Sequence, residues 1–159
     1  FNGDDLTCIY NAFNCKNYAK HNLDEFTKKY VSNFQKLIDR DFSDMEKYYE
    51  RSAQTYWPGG NIYYSYNQIK QIWFNFLYCF ENLQLNIHYL SSLIEPMISP
   101  RVALRWTING KHSNEGIFDK PTQKNIEISG ISHIEFGRYG IKREYVIFDE
   151  ISIWKQILL

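Results

Sequence analysis

The sequence predicts an α+β protein in which helices come first and long strands follow. In the first half, apolar residues recur at helical spacing, which indicates amphipathic helices. After Glu81 the pattern changes to alternation of apolar and polar residues, which is typical of strands. Neighbouring strands joined by short turns favour a mainly antiparallel sheet. We expect this sheet to be strongly curved and wrapped around the N-terminal helices, forming a cone whose mouth is a natural ligand site.

Three helices are predicted from caps and apolar stripes. The first begins at Asn22, a candidate N-cap with Glu25 three residues later. A short second helix follows Ser43 and Glu46, which repeat the capping-box spacing. A third helix begins at Asn67 and carries an aromatic stripe, which we interpret as core packing against the sheet.

The strands are separated by turn signals. Asn109-Gly110 favours a hairpin turn, and a bulge within a longer strand is the alternative. Residues 113–124 are predicted to form a polar loop, 138–140 a tight turn, and 150–159 a short helix or a strand end. Strands are predicted at 53–57, 62–66, 83–90, 101–108, 125–136 and 141–148.

Length and composition indicate one folded domain. The chain has 159 residues, of which 44% are hydrophobic and 23% charged, enough to bury a core without disulfides. We treat residues 1–21 as an N-terminal leader segment and 22–159 as the cone domain. Aromatic residues make up 18% and can either line a cavity or fill an aromatic core.

Charge and motifs exclude several kinds of partner. Eighteen basic and eighteen acidic residues cancel, and the longest basic block is Lys28-Lys29, so no nucleic-acid partner is expected. No apolar run approaches the ~18 residues that span a bilayer, so no membrane partner is expected. Dinucleotide, P-loop, zinc-hydrolase and serine-esterase motifs are missing from the sequence, so nucleotide binding, zinc hydrolysis and serine-esterase chemistry lose their usual sequence support.

The cysteines favour a reducing compartment. Cys8, Cys15 and Cys79 are odd in number, and Cys8 and Cys15 do not have C-x-x-C spacing. We interpret them as free thiols and expect a cytoplasmic protein, since the sequence also contains no signal-peptide pattern and no glycosylation sequon.

Ionisable residues lie among the apolar residues of the last two predicted strands. Alternation places Glu144 on one face with Val146, Asp149 on the other face with Tyr145, and His133 in the middle of the neighbouring strand. If either face lines a cavity, an acid and a histidine can meet across the strands. Burial would then raise the pKa of the carboxyl toward neutrality and make it a usable acid or base.

Surface roles are the alternatives for these residues. Glu144 would pair with Arg or Lys on a wet surface, and Asp149 would cap the tail segment. His112 would be a solvated loop histidine rather than a catalytic one. For His133 the catalytic and surface interpretations stay equally open.

Several short motifs follow one another in the second half of the chain, in an order that matches the pattern of a known family. They are Arg105-Trp106, Gly110-Lys111-His112, Pro121-Thr122-Gln123, Gly130-Ile131, Gly140-Ile141, Asp149-Glu150 and Gln156-Ile157. With this order and spacing, residues 101–157 resemble the SnoaL-like polyketide cyclase family, and a looser likeness extends back to residue 22. The resemblance implies the nuclear transport factor two-like, or cystatin-like, cone fold, which ketosteroid isomerases and several dehydratases share. It also implies chemistry without a metal or cofactor.

The resemblance places the family's working residues only in part. In the cyclases of this family an aspartate moves a proton during an intramolecular aldol ring closure, accompanied by a histidine on the neighbouring strand. Aligned from the Gly-Ile turn, that aspartate falls on Val146, which cannot exchange a proton. The histidine falls near His133, with a one-residue gap, and Asp149 matches a second acidic position. Cyclase activity is therefore not inherited. If the pocket is catalytic, Asp149, or as second choice Glu144, must replace the acid, with His133 or His112 as its partner.

Three functions follow from these observations. The first is a cofactor-free cyclase, isomerase or lyase of the dehydratase kind, which acts on a small carbonyl compound by general acid–base chemistry. The second is a non-enzymatic small-ligand-binding domain with a lapsed catalytic site. The third is a dimerising interaction domain, and we expect a homodimer formed through the open sheet face. The residues predicted to hold the substrate are Trp57, Trp106, Tyr145 and Val146.

Overall fold

Residues 24–159 are described by the computed structural model of the chain. These residues form helices packed on a six-stranded sheet, joined by short turns and one longer loop. The helices are α1 (Glu25–Ile38), α2 (Met45–Tyr48), α3 (Ser65–Tyr78) and α4 (Glu150–Leu158), with a 3-10 turn at Pro58–Gly60. The strands are β1 (Tyr49–Trp57), β2 (Asn61–Tyr64), β3 (Phe80–Leu93), β4 (Arg101–His112), β5 (Asn125–Phe136) and β6 (Ile141–Phe148).

The six strands form one open, mixed sheet in the order β2-β1-β6-β5-β4-β3. β1 and β6 run parallel, and the other four neighbouring pairs are antiparallel. The predicted α+β class with a mainly antiparallel sheet is therefore confirmed. The parallel pair joins the first strand of the chain to the last.

Helix α1 packs one apolar face into the core. Asp24 caps its N-terminus, where a carboxylate oxygen accepts a first-turn backbone N–H at 2.8 Å. The predicted cap, Asn22, lies outside the described residues. Farther along the helix, the Phe34 ring lies 5.7 Å from the Trp73 ring of α3 and 5.5 Å from the Trp106 ring of β4. These contacts place α1 between α3 and the sheet.

Alternating burial gives the sheet an inner face, which the helices cover, and an outer face. On β5, Ile128 and Ile134 are buried on the inner face, whereas Ile131 lies on the outer face and is 49% exposed. On β4, Trp106 faces inward and Arg105 outward. The core therefore lies between the inner face and the helices, and any group on the outer face is separated from it by the sheet.

The predicted hairpin turn at Asn109-Gly110 is wrong. β4 continues through these residues to His112, and Asn109 pairs with Glu127 of β5. The alternative prediction was a bulge at Asn109-Gly110 within a longer strand. The longer strand is correct, but the bulge lies on the neighbouring strand β3. There the pairing shifts between Glu81 and Gln84, so two β3 residues face Gly110. Pairing on both sides of β4 outweighs the local turn preference of Asn-Gly.

The other elements follow the sequence pattern with small changes. β5 and β6 have the predicted bounds, and residues 113–124 connect β4 to β5 as a loop. The tail forms α4, which decides between the helix and strand alternatives. The capping box at Ser43 and Glu46 does not form, because α2 begins after Asp44 and has no side-chain cap.

Two predictions fall on the part of the chain that is not described. Cys79 is a buried free thiol, but Cys8 and Cys15 lie outside the described residues, so the cytoplasmic location stays a prediction. The boundary between the leader 1–21 and the domain also lies there and stays a prediction. Within residues 24–159, no helix is both long enough and apolar enough to cross a membrane.

We expect Gly130→Ala to destabilise the fold by about 1–3 kcal/mol, the usual cost of overpacking a core. Gly130 pairs with Trp106 across β4 and β5, and a Cβ at Gly130 would lie 2.3 Å from the Trp106 ring. Urea unfolding measures the change, and Ser129→Ala, on the neighbouring outward-facing position, is the control. A Gly130→Ala variant as stable as this control would contradict the close approach.

Candidate functional site

An ionisable side chain lies in the interior, beneath the inner face of the sheet. Glu144 of β6 has no exposed surface and pairs in register with Thr55 of β1. The Tyr30 hydroxyl of α1 donates to its Oε1 at 2.9 Å. The Tyr49 hydroxyl, at the start of β1, donates to Oε2 at 3.0 Å, and the Thr55 hydroxyl donates to the same oxygen at 3.3 Å. We call these four residues the Glu144 cluster.

The surroundings of Glu144 change its proton affinity. Burial raises the pKa of Glu144 above its ordinary 4.5, and the bonds from the three hydroxyl groups lower it only in part. Burial, followed by the neighbouring Glu144 charge, raises the pKa values of Tyr30 and Tyr49 well above 10.0, so both tyrosines stay protonated donors. No Lys or Arg within residues 24–159 forms an ion pair with Glu144. The cluster can therefore accommodate the carboxyl in either protonation state, because hydroxyl groups both donate and accept.

The interpretation of Glu144 as a surface residue paired with Arg or Lys is wrong. Glutamate is seldom fully buried, so residue type alone favours the surface. The alternation of β6 carried the opposite signal, since Glu144 shares its face with Val146, which is also buried. The donors could not be found from the sequence, because Tyr30 and Tyr49 read as ordinary apolar positions.

Two indole rings lie next to the Glu144 cluster. Trp57 follows Thr55 by two residues on β1, and its ring meets the Trp73 ring of α3 edge to face, with centroids 4.9 Å apart. The Trp73 indole acts on the Glu144 carboxyl as a further side-chain hydrogen-bond donor and lowers its pKa. The indole nitrogens of Trp57 and Trp73 and the Nε2 of His112 are buried, and among residues 24–159 none of the three has a partner in full hydrogen-bond geometry, so the contact between Trp73 and Glu144 is long or poorly aligned. The Phe148 ring, 5.6 Å from Trp57, is half-buried.

His112 is buried at the end of β4 and is not a solvated loop histidine, so that interpretation is wrong. The Thr122 backbone N–H donates to its Nδ1 at 3.4 Å, and the Thr122 hydroxyl lies 3.2 Å from the same atom. Because Nδ1 accepts, the proton of the neutral ring lies on Nε2. Burial lowers the pKa of His112, and the Asp119 charge partly opposes this. The signal was again alternation, since His112 continues the inward-facing positions Trp106 and Ile108.

His133, Asp149 and Tyr145 do not lie in the interior. His133 and Tyr145 are cross-strand neighbours on the outer face, with ring centroids 6.0 Å apart, and Tyr145 stacks on Tyr56 at 4.6 Å. Asp149 is exposed and caps α4, accepting a backbone N–H at 2.9 Å. We expected these residues to lie together inside a hollow, and this location is wrong. Side chains alternate along the strands, and these positions face away from the helices. Their catalytic role is a separate matter and stays a prediction.

Trp106 and Val146 face the interior, as lining residues must. The Trp106 indole N–H donates to the Ser132 hydroxyl at 3.0 Å, so this group already has a partner. Val146 is 1% exposed. Contact of these residues and of Trp57 with a substrate stays a prediction.

A surface cleft of about 440 Å³ opens beside the β5–β6 turn. None of the residues predicted for the site lines it, and its Glu50 carboxylate accepts the Tyr139 backbone N–H at 3.0 Å, which fixes the turn. Over the described stretch 24–159, no three His, Cys, Asp or Glu side chains are grouped as metal ligands.

The fold, but not the sequence, has recognisable relatives. No protein-family model and no curated protein sequence matches the chain. IdmH, a candidate polyketide cyclase from Streptomyces antibioticus, is similar with a TM-score of 0.71 and 14% identity, over 86% of this chain and 100% of that one. A candidate SnoaL-like polyketide cyclase from Jannaschia sp. CCS1 is similar with a TM-score of 0.68 and 8% identity, over 86% and 96%. AclR, a candidate hydroxylase from Streptomyces galilaeus, is similar with a TM-score of 0.63 and 18% identity, over 82% and 96%. These likenesses confirm the resemblance to SnoaL-like proteins at the level of the fold.

We expect Glu144 to make the stability of the protein fall as the pH rises above about 4.5. The folded state holds the Glu144 proton more tightly than the unfolded chain, so its contribution is complete below 4.5 and is lost as pH rises through the folded pKa. Each pH unit in this window removes up to about 1.4 kcal/mol. The free energy of unfolding of the wild type minus that of Glu144→Gln, measured by urea unfolding across this range, should decrease with pH.

His112 provides a comparison of opposite sign. Its pKa is lowered in the folded state, so its contribution to stability is lost as pH falls below 6.5. The difference between the wild type and His112→Gln should therefore increase with pH below 6.5. A difference curve for Glu144→Gln that stays flat or rises would show that burial does not raise the Glu144 pKa.

Proposed function

We propose that the protein binds a small, partly apolar carbonyl compound in its interior and exchanges a proton with it through Glu144. The reaction would be that of a cofactor-free isomerase, lyase or cyclase. The observation that carries this proposal is the buried carboxyl, whose pKa is raised and whose oxygens are held by hydroxyl groups rather than by a cation. A carboxyl tuned in this direction is suited to general acid–base catalysis near neutral pH.

The simplest chemistry for such a group is an enolisation. The Glu144 carboxylate accepts a proton from the carbon next to the carbonyl, and the electron pair of the broken C–H bond moves onto the carbonyl oxygen. Return of the proton to a different carbon completes an isomerisation. In a dehydration, the enolate electrons form the new C=C bond and break the C–O bond, while the β-hydroxyl group takes the proton back from Glu144 and leaves as water. Tyr30 and Tyr49 would hold the carboxyl in place throughout, since their raised pKa values keep them protonated.

Ligand binding without turnover is the second candidate. Val146 favours it, because the resemblance to the cyclases places their catalytic aspartate there and valine exchanges no proton. The Glu144 cluster would then be a buried polar network that fixes the packing of α1 against β1 and β6. The two candidates differ in whether removal of the Glu144 charge abolishes a reaction.

We also propose that the protein forms a homodimer through the outer face of the sheet. A row of side chains crosses four strands there, with Ile147 of β6 beside Ile131 of β5, followed by Arg105 and Tyr89. Ile147 is 64% exposed, Ile131 49% and Tyr89 41%. Two adjacent isoleucines and a tyrosine, with Arg105 between them, make this row partly apolar; exposed apolar surface is typical of a protein interface, and a stable interface buries roughly 800 Å² per partner.

We expect Glu144→Gln to abolish turnover while leaving the protein folded. The probe is 3-cyclohexen-1-one, whose conversion to the conjugated enone is followed by ultraviolet absorbance. Loss of the general base should lower kcat by roughly 10²–10⁴-fold, because glutamine keeps the shape but cannot accept the proton.

Glu135→Gln is the matched control for that experiment, since Glu135 lies on the outer face and pairs with Lys142 and Arg143. It should retain the wild-type rate. A Glu144→Gln variant that keeps its rate while His133→Ala or Asp149→Asn loses it would return the catalytic role to those residues. Tight binding of the ketone without turnover by the wild type would favour the binding function.

We expect the double substitution Ile131→Glu and Ile147→Glu to convert the dimer to a monomer. Two carboxylates placed in the apolar row would have to be buried in the interface. Light scattering after size exclusion measures the mass. Ile117→Glu, in the loop between β4 and β5, is the control and should leave the dimer intact. A wild type that is already monomeric would refute the interface.

A further inference from the structure

Two hydrogen-bond donors in the interior carry a further inference. The indole N–H groups of Trp57 and Trp73 are buried, and within the described residues neither has an acceptor in full hydrogen-bond geometry, although Trp73 interacts with the Glu144 carboxyl. The Nε2 of His112, at the end of β4, is the third buried nitrogen without a partner there. Buried polar groups in folded proteins nearly always have a partner, and each one that lacks a partner calls for an explanation, such as a catalytic role or a bound water or ion. A third indole gives the contrast, since the Trp106 N–H donates to Ser132.

The two donors belong to one part of the interior. The Trp57 and Trp73 rings meet edge to face at 4.9 Å, and Trp57 lies on the same face of β1 as Thr55, which bonds to Glu144. Trp73 acts on the Glu144 carboxyl as a side-chain hydrogen-bond donor and lowers its pKa. The surrounding rings are apolar, with Phe76 5.5 Å and Phe148 5.6 Å from Trp57. Two donors and one ionisable carboxyl therefore stand together in an aromatic environment.

We propose that the indole N–H groups of Trp57 and Trp73 donate hydrogen bonds to the carbonyl oxygen of the ligand. We call this place the acceptor site, because it receives a hydrogen-bond acceptor. This inference rests on the proposed function, because the carbonyl is the one whose neighbouring proton Glu144 exchanges. An indole N–H donates and cannot accept, so the pair selects oxygen that presents lone pairs and disfavours groups that only donate, such as ammonium. As enolisation moves charge onto that oxygen, both donors stabilise it, since such bonds strengthen when the acceptor becomes anionic.

Electrostatics also fix the charge of the ligand. The Glu144 carboxyl lies beside the donors, and burial already disfavours its ionised form. A ligand carboxylate bound at the indoles would put a second negative charge next to it in a medium of low polarity, which is unfavourable. The site therefore takes a neutral ketone, aldehyde or ester rather than a carboxylic acid.

The test compares two probes that differ only at the acceptor atom. 2-Acetylnaphthalene carries a carbonyl oxygen, and 2-isopropenylnaphthalene carries a methylene group in its place. Isothermal calorimetry should show that the wild type binds the ketone about 10-fold more tightly, the ratio expected for one or two hydrogen bonds in a buried site. The variant Trp57→Phe/Trp73→Phe keeps aromatic rings but removes both donors, and it should bind the two probes equally.

Trp154→Phe is the matched control, because Trp154 lies on α4 and its ring packs against Phe118. It should keep the preference for the ketone. A second measurement needs no variant: the indole N–H proton resonances of Trp57 and Trp73 should shift downfield when the ketone is added, while that of Trp106 stays in place.

The outcomes separate this inference from the proposed function. If the wild type binds both probes equally, the acceptor site is wrong and the ligand pocket stands. If it binds neither, the proposed function fails and the acceptor site fails with it. A preference that persists in Trp57→Phe/Trp73→Phe also overturns the inference. Should that variant not fold, the resonances of the wild type decide, and unshifted Trp57 and Trp73 signals refute it.

Discussion

The parallel pairing of β1 with β6 is the interaction on which the candidate site depends. It sets Thr55 beside Glu144, residues that are 89 positions apart in the chain. Because side chains alternate along both strands, the same register directs Trp57 and Val146 toward the helices and Tyr145 away from them. A slip of one residue would turn Glu144 outward and leave the tyrosine hydroxyls in the interior without their acceptor.

Burial of this carboxyl has a cost that the hydroxyl groups offset only in part. An ionised carboxyl taken out of water loses several kcal/mol of solvation, and hydrogen bonds to a charged group return about 1.5–3 kcal/mol each. With three hydroxyl donors the two effects are of similar size, and burial prevails, as the direction of the Glu144 pKa shows. Because the hydroxyl groups can bond to the carboxyl in both forms, it can exchange a proton without a large change in the fold around it.

The sequence reveals the fold better than the site, and the difference has a physical cause. α1, β5 and β6 were predicted because their periodicity is local and repeats over many residues. The turn at Asn109-Gly110 was not, because its strand is paired on both sides by distant segments that outweigh local preference. For Glu144 and His112, which were also candidate catalytic residues, residue type favoured a surface role, although alternation pointed inward for both. Their burial depends on partners that no local pattern identifies: Tyr30 lies 114 positions from Glu144.

The position of the buried acid bears on whether the site has lapsed or moved. The resemblance to the cyclases places the catalytic aspartate at Val146, and the carboxyl of this chain lies two residues earlier. A shift of two residues keeps the inner face and moves the group about 7 Å along the strand, toward Tyr30. A purely structural core would be at least as stable with an apolar side chain of similar volume at this position, since buried ionisable groups seldom add net stability. A carboxyl with three dedicated donors and two indole N–H groups beside it is an arrangement that packing alone does not require, which favours relocation of the acid over loss of function.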